Sequence, residues 1–115
     1  MKIKEIHIYG YGKFTNKKIL FANQGLQVLY GLNEAGKSTV MSFIQSILFG
    51  FPTKHQLGGR YEPKTGGTYG GAITVETDDD EIVKIERLKG NRAQELTLFY
   101  ADGRIGGEKK LDRLL

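Results

Sequence analysis

The run Gly31-Leu32-Asn33-Glu34-Ala35-Gly36-Lys37-Ser38-Thr39 constrains the fold of this chain more than any other stretch. It fits the phosphate-binding pattern G-x-x-x-x-G-K-[ST] at every fixed position, a pattern that needs a strand before it and a helix after it. Leu26, Val28, Leu29 and Tyr30 supply an apolar, β-rich lead-in, and an amphipathic segment follows. Gly31 and Gly36 permit backbone angles that a side chain would forbid, so successive N–H groups can turn inward around a phosphate. The helix that opens near Lys37 aims the positive end of its dipole at the same point. Lys37 is expected to reach the β- and γ-phosphates, Ser38 to complete the coordination of Mg²⁺, and Thr39 to touch the α-phosphate. Gly31, Asn33, Glu34, Ala35, Gly36, Lys37, Ser38 and Thr39 are thus the candidate nucleotide-binding residues, with Ser38 the candidate metal ligand. The plain alternative is a glycine-containing strand-to-helix turn with an incidental lysine. The strand–loop–helix context weighs against it.

The helix after the loop is the clearest periodic element. Val40, Phe43, Ile44, Ile47, Leu48 and Phe51 recur at helical spacing, Ser42, Gln45 and Ser46 fall on a polar side, and Gly50 before Pro52 is a stop signal. Upstream, residues 2 to 9 read as a strand with Ile6 and Ile8 on one face and Glu5, His7 and Tyr9 on the other. Gly10 and Gly12 mark a turn, residues 18 to 21 a short second strand, and Asn23-Gln24-Gly25 the turn into the strand that feeds the loop. Residues 52 to 69, rich in Gly, Lys and Thr, exceed the ~12–15 residues usual for a structureless connection and are expected to form a mobile loop. Its Lys54, His55, Arg60 and Lys64 could approach phosphates, or simply be solvated. Strands are expected over 72–77, 82–87 and 95–100, with turns at Asp78-Asp79-Asp80 and Asp102-Gly103, then the opening of a helix from Glu108. The fold class is α/β, with antiparallel strands flanking a strand–P-loop–helix unit.

Composition narrows the setting. At 115 residues, with 39% hydrophobic and 26% charged residues, the chain is sized for one globular domain. It has no cysteine, so disulfides and thiolate metal sites are excluded, and no apolar run approaches the ~18 residues a bilayer crossing needs. The charged start Met1-Lys2-Ile3-Lys4-Glu5 is unlike a signal peptide, and a cytoplasmic protein with no membrane partner is expected. A net charge of +4 is compatible with a polyanionic partner such as DNA, and equally with solvated lysines.

One part of a complete P-loop ATPase is missing: an apolar strand ending in an acid that holds Mg²⁺ and polarises water. Asp78, Asp79, Asp80 and Glu81 sit at a hairpin turn instead, and His7 and His55 lack partner spacing. A nucleotide half-site without its catalytic remainder points to a fragment.

With these residues in view, the chain resembles the N-terminal segment of SMC/RecF/SbcC-type ATPases, ABC-related DNA-repair proteins, and within them the bacterial YhaN-like branch. The resemblance is carried by Ile6-His7-Ile8-Tyr9-Gly10-Tyr11-Gly12-Lys13-Phe14, by the loop at 31–39, by Ile47-Leu48-Phe49-Gly50-Phe51, and by Arg60-Tyr61-Glu62-Pro63 with the glycines up to Gly71. It implies a P-loop NTPase fold of the ABC-head type, in which this chain is the N-terminal lobe. It also implies that the missing acid and signature motif lie in a distant C-terminal lobe across a coiled coil. ATP and Mg²⁺ would be the cofactors, held between two heads of a homodimer, with hydrolysis coupled to DNA repair or processing. By the same resemblance, Lys13 matches a basic residue that approaches the nucleotide. Glu34 departs from the small residues many relatives carry there, and is expected to face solvent or a partner head. A self-contained P-loop kinase acting on a nucleotide or metabolite is the alternative, and an assembly module with a silent loop a third. The strand-rich second half leaves little room for a kinase lid, and the intact Lys37-Ser38 argues against a silent loop.

Overall fold

A computed structural model describes residues 2–21, 34–51, 68–89 and 94–114. Its elements are β1 (Lys2–Tyr11), β2 (Phe14–Leu20), α1 (Glu34–Phe49), β3 (Gly70–Glu76), β4 (Ile82–Lys89), β5 (Gln94–Tyr100), β6 (Ile105–Gly106) and α2 (Glu108–Leu114). The strands form one antiparallel sheet in the order β2-β1-β3-β4-β5-β6. This is the mixed α/β architecture expected. The predicted third strand and loop residues 31–33 lie outside the described residues, as does 52–67 of the predicted mobile loop. Tyr69, at the end of that span, is buried against Tyr11 and Phe51.

Alternation along the strands creates one apolar face. Ile73 and Val75 of β3, Val83 and Ile85 of β4, and Leu98 of β5 are fully buried there, under α1 residues Val40, Phe43 and Ile47. Strict alternation would not bring Ile3, Ile6, Ile8 and Tyr11 of β1 to one side. Two register shifts against β3 solve this: Ile3↔Val75 is followed by Glu5↔Thr74, and Ile8↔Gly71 by Gly10↔Gly70. Each puts one extra residue into β1, Lys4 and then Tyr9, so the facing inverts twice. Tyr11 joins the core, whereas Tyr9 stays on the opposite face and donates to Glu86 Oε2 at 2.7 Å.

Four local expectations are revised. The helix after the glycine-rich run opens at Glu34 rather than near Lys37, so Glu34, Ala35 and Gly36 are helical and not loop. The second strand begins at Phe14 rather than Lys18, because β2 zips onto β1 from Tyr11↔Phe14 onward, directly after the Gly12–Lys13 turn. Gly10 lies within β1 and marks no turn. Ser46 is buried rather than on a polar side, and Ser42 is half-buried, because both meet Tyr11. The helix stops as expected: Gly50 has φ +109° and its N–H closes on Ser46 O at 2.8 Å.

Candidate nucleotide-binding site

The site residues fall at the start of α1. Gly36, Lys37, Ser38 and Thr39 lie in its first turns, with Ser38 exposed and the other three half-buried. A helix start presents N–H groups that have no intrahelical acceptor, which favours an anion there. Gly31 and Asn33 lie outside the described residues, as do the side chains of Glu34 and Ala35. Lys13, carried over from the resemblance, is exposed in the turn between β1 and β2. The described residues thus bring the Lys37–Thr39 triplet together on one helix end and leave Lys13 on the separate turn between β1 and β2.

What holds that helix end in place was not evident from the sequence motif. The Tyr11 hydroxyl, fully buried, lies 2.7 Å from Ser42 Oγ and 2.9 Å from Ser46 Oγ. A hydroxyl can donate once and accept twice, so these groups satisfy one another. The Phe43 ring packs edge-on against Tyr11 with centroids 5.3 Å apart. It also presses on the sheet at Gly71, where an added Cβ would come within 2.7 Å of the ring and 2.3 Å of His7 O. At the far end, the buried Arg87 donates from Nε to Ile47 O at 2.8 Å and from Nη1 to Glu108 Oε1 at 2.8 Å. Gln94 bridges both the N–H and the C=O of Phe51. A hydroxyl fork and a guanidinium anchor therefore fix α1 against the sheet.

Sequence reading missed Tyr11, Ser42, Ser46, Arg87 and Gln94 as parts of this frame. The one available signal was the Ser42/Ser46 spacing of one helical turn within an otherwise apolar segment. Along the outer side of α1 runs a groove of about 570 Å³ lined by Lys37, Ser38, Met41, Gln45, Leu48 and Phe49 among others. Met41 and Phe49 are 52% and 70% exposed. Among the described residues no group of three or more His, Asp or Glu side chains is arranged to hold a metal ion, and Asp78, Asp79 and Asp80 are exposed. No helix there is long and apolar enough to cross a membrane.

The whole chain, residues 1–115, matches the family model described as AAA domain. It belongs to that family, a class of nucleotide-binding ATPases for which ATP and Mg²⁺ are the implied cofactors. Among individual proteins it is similar to the uncharacterized protein YhaN of Bacillus subtilis (strain 168), 49% identical over 105 residues. That match covers 91% of this chain and 10% of the relative, so the chain spans about a tenth of the length of the curated relative it matches. No solved structure matches it.

Proposed function

We propose that this chain is the ATP-binding N-terminal lobe of a longer, split ATPase head, and that residues 31–39 carry its phosphate-binding motif, with residues 34–39 in the first turns of α1. The observation that carries the reading is the position of Lys37 and Ser38 on the first turns of a helix doubly anchored to a sheet. The donor set suits the cofactor: a lysine ammonium for the β- and γ-phosphates, a serine hydroxyl for Mg²⁺, and helix-start N–H groups for phosphate oxygens. When bound, Mg²⁺ would neutralise charge on the transferring phosphoryl group. In this reading Lys37 binds and orients, Thr39 steadies the α-phosphate, Gly31, Asn33, Glu34, Ala35 and Gly36 offer backbone, and Lys13 adds a second cation.

The surface supports a protein partner on this side of α1. The exposed apolar side chains of Met41 and Phe49 sit along the same groove as Lys37 and Ser38, as expected for a face that a complementary lobe covers. That lobe would bring the acid and signature residues, and a second copy would complete the ATP sandwich. Coupling to DNA repair or processing, in the cytoplasm, rests on the SMC-like resemblance and the net charge of +4. Because half of the γ-phosphate environment would be supplied elsewhere, this chain alone binds Mg²⁺-ATP weakly and does not turn it over. Amide NMR tests the reading. Mg²⁺-ATP should shift Gly36, Lys37, Ser38 and Thr39 in the parent and not in Lys37→Ala. Shifts confined to other elements, or robust turnover by this chain, would overturn it.

A further inference from the structure

Tyr11 is more elaborately built than core packing requires. The register shift at Tyr9 exists between Ile8 and Gly10, and its effect is to aim Tyr11 at α1. Three buried or half-buried hydroxyls then meet: Tyr11, Ser42 and Ser46. Burying hydroxyls is unfavourable unless they pair, and a phenylalanine facing alanines would fill similar space without that demand. The hydroxyl fork does something an apolar contact does not. Apolar surfaces tolerate sliding, whereas hydroxyls bonded at 2.7 and 2.9 Å define one register between β1 and α1.

The placement of that fork is specific. Ser38, Ser42 and Ser46 follow one another at a spacing of four residues, and so form one stripe along α1. Tyr11 grips two of them, and the next turn toward the helix start carries Ser38. Beyond Tyr11 come Gly12 and Lys13, and two residues span at most about 7 Å of chain. Gly12 has φ +58°, the left-handed conformation that closes the turn there. The turn bearing Lys13 is therefore tied, through one side chain, to the stripe that ends at the candidate Mg²⁺ ligand.

We propose that Tyr11 is a positioning residue for nucleotide binding: its hydroxyl fork on Ser42 and Ser46 fixes the Gly12–Lys13 turn beside the first turn of α1, so that Lys13 and Lys37 act on one set of phosphates. This rests on the nucleotide reading of the site. Tyr11 itself touches no phosphate; it acts through Lys13. A purely structural tyrosine would stabilise the fold and affect binding independently of Lys13.

A double-mutant cycle separates the two. Mg²⁺-ATP affinity is measured for the parent, Tyr11→Phe, Lys13→Ala and the double variant, with Lys37→Ala as the control for site occupancy. Each single variant should weaken binding by about three- to tenfold, and the double variant no further than the weaker single. Multiplicative losses, or an unchanged affinity in Tyr11→Phe, would overturn the positioning role while leaving the nucleotide reading intact. Absence of Lys37-dependent binding in the parent would overturn the nucleotide reading, and this inference with it. Should Tyr11→Phe fail to fold, Ser42→Ala/Ser46→Ala removes the same bonds from the helix side and enters the same cycle with Lys13→Ala.

Discussion

Replacing Arg87 by methionine should cost far more stability than its visible salt bridge suggests. The guanidinium is 4% exposed and its ion-pair partner Glu108 is 58% exposed. A pair with one partner that open is worth at most about 1 kcal/mol. The larger share lies in the Nε–H donation to Ile47 O, one of the last carbonyls of α1, which have no intrahelical donor. A buried, charge-assisted bond of this kind contributes about 1.5–3 kcal/mol, and a cation at a helix C-terminus about 0.3–1 kcal/mol more. Methionine keeps most of the apolar stem but leaves Ile47 O without its donor. The expected loss is about 2–4 kcal/mol for Arg87→Met against less than about 1 kcal/mol for Glu108→Gln. Urea unfolding followed by far-UV circular dichroism measures both, the loss appearing as a lower midpoint at unchanged slope. Equal losses would mean the salt bridge carries the anchor. A loss under about 0.5 kcal/mol for Arg87→Met would refute the anchor itself.

The other expectations follow from local geometry. Gly70→Ala should unfold or severely destabilise the chain, since φ is +137° and the new Cβ would lie 2.2 Å from Arg87 O. Gly103→Ala, at φ +96° with no atom within 4 Å, should cost only about 1–2 kcal/mol; a comparable effect of the two in thermal melts would contradict the steric reasoning. Burial, then the hydrogen bond to Glu86 and its charge, pushes the Tyr9 phenol above the ordinary tyrosine range of 10.0. Its folded-state pKa is raised, so its contribution is complete below pH ~10 and is lost as pH rises above that. Tyr9→Phe should flatten that alkaline loss, and an unchanged alkaline profile would count against it. Hydrogen bonds from the Arg104 backbone and side chain hold the Asp102 carboxyl below its usual range, so its small contribution fades as pH falls through acid values. Asp102→Asn should remove that acid dependence without moving the neutral-pH midpoint much.

Much of the fold was legible because it is written locally. The apolar alternation of Ile73–Val75 and Val83–Ile85, the Asp78–Asp80 turn, and Gly50 at the helix end each declare themselves within a few residues. The site motif was equally visible, since backbone freedom and one lysine must sit at fixed spacing to meet phosphates. What escaped depends on pairing between distant segments. Nothing near Tyr9 in sequence reveals that it will be the extra residue opposite β3, and that shift alone decides which way Tyr11 points. Ser42 and Ser46 read as a polar stripe because their partner lies 31 and 35 residues away. Arg87 read as the end of a strand for the same reason: its acceptors sit on α1, β5 and α2.

The most direct test of the central proposal is calorimetric titration of Mg²⁺-ATP into the parent chain and into Lys37→Ala. Weak saturable binding in the parent, lost in the variant, is the expected result. A well-folded parent that takes up no nucleotide, or one that binds equally well without Lys37, would contradict a preformed half-site at the start of α1.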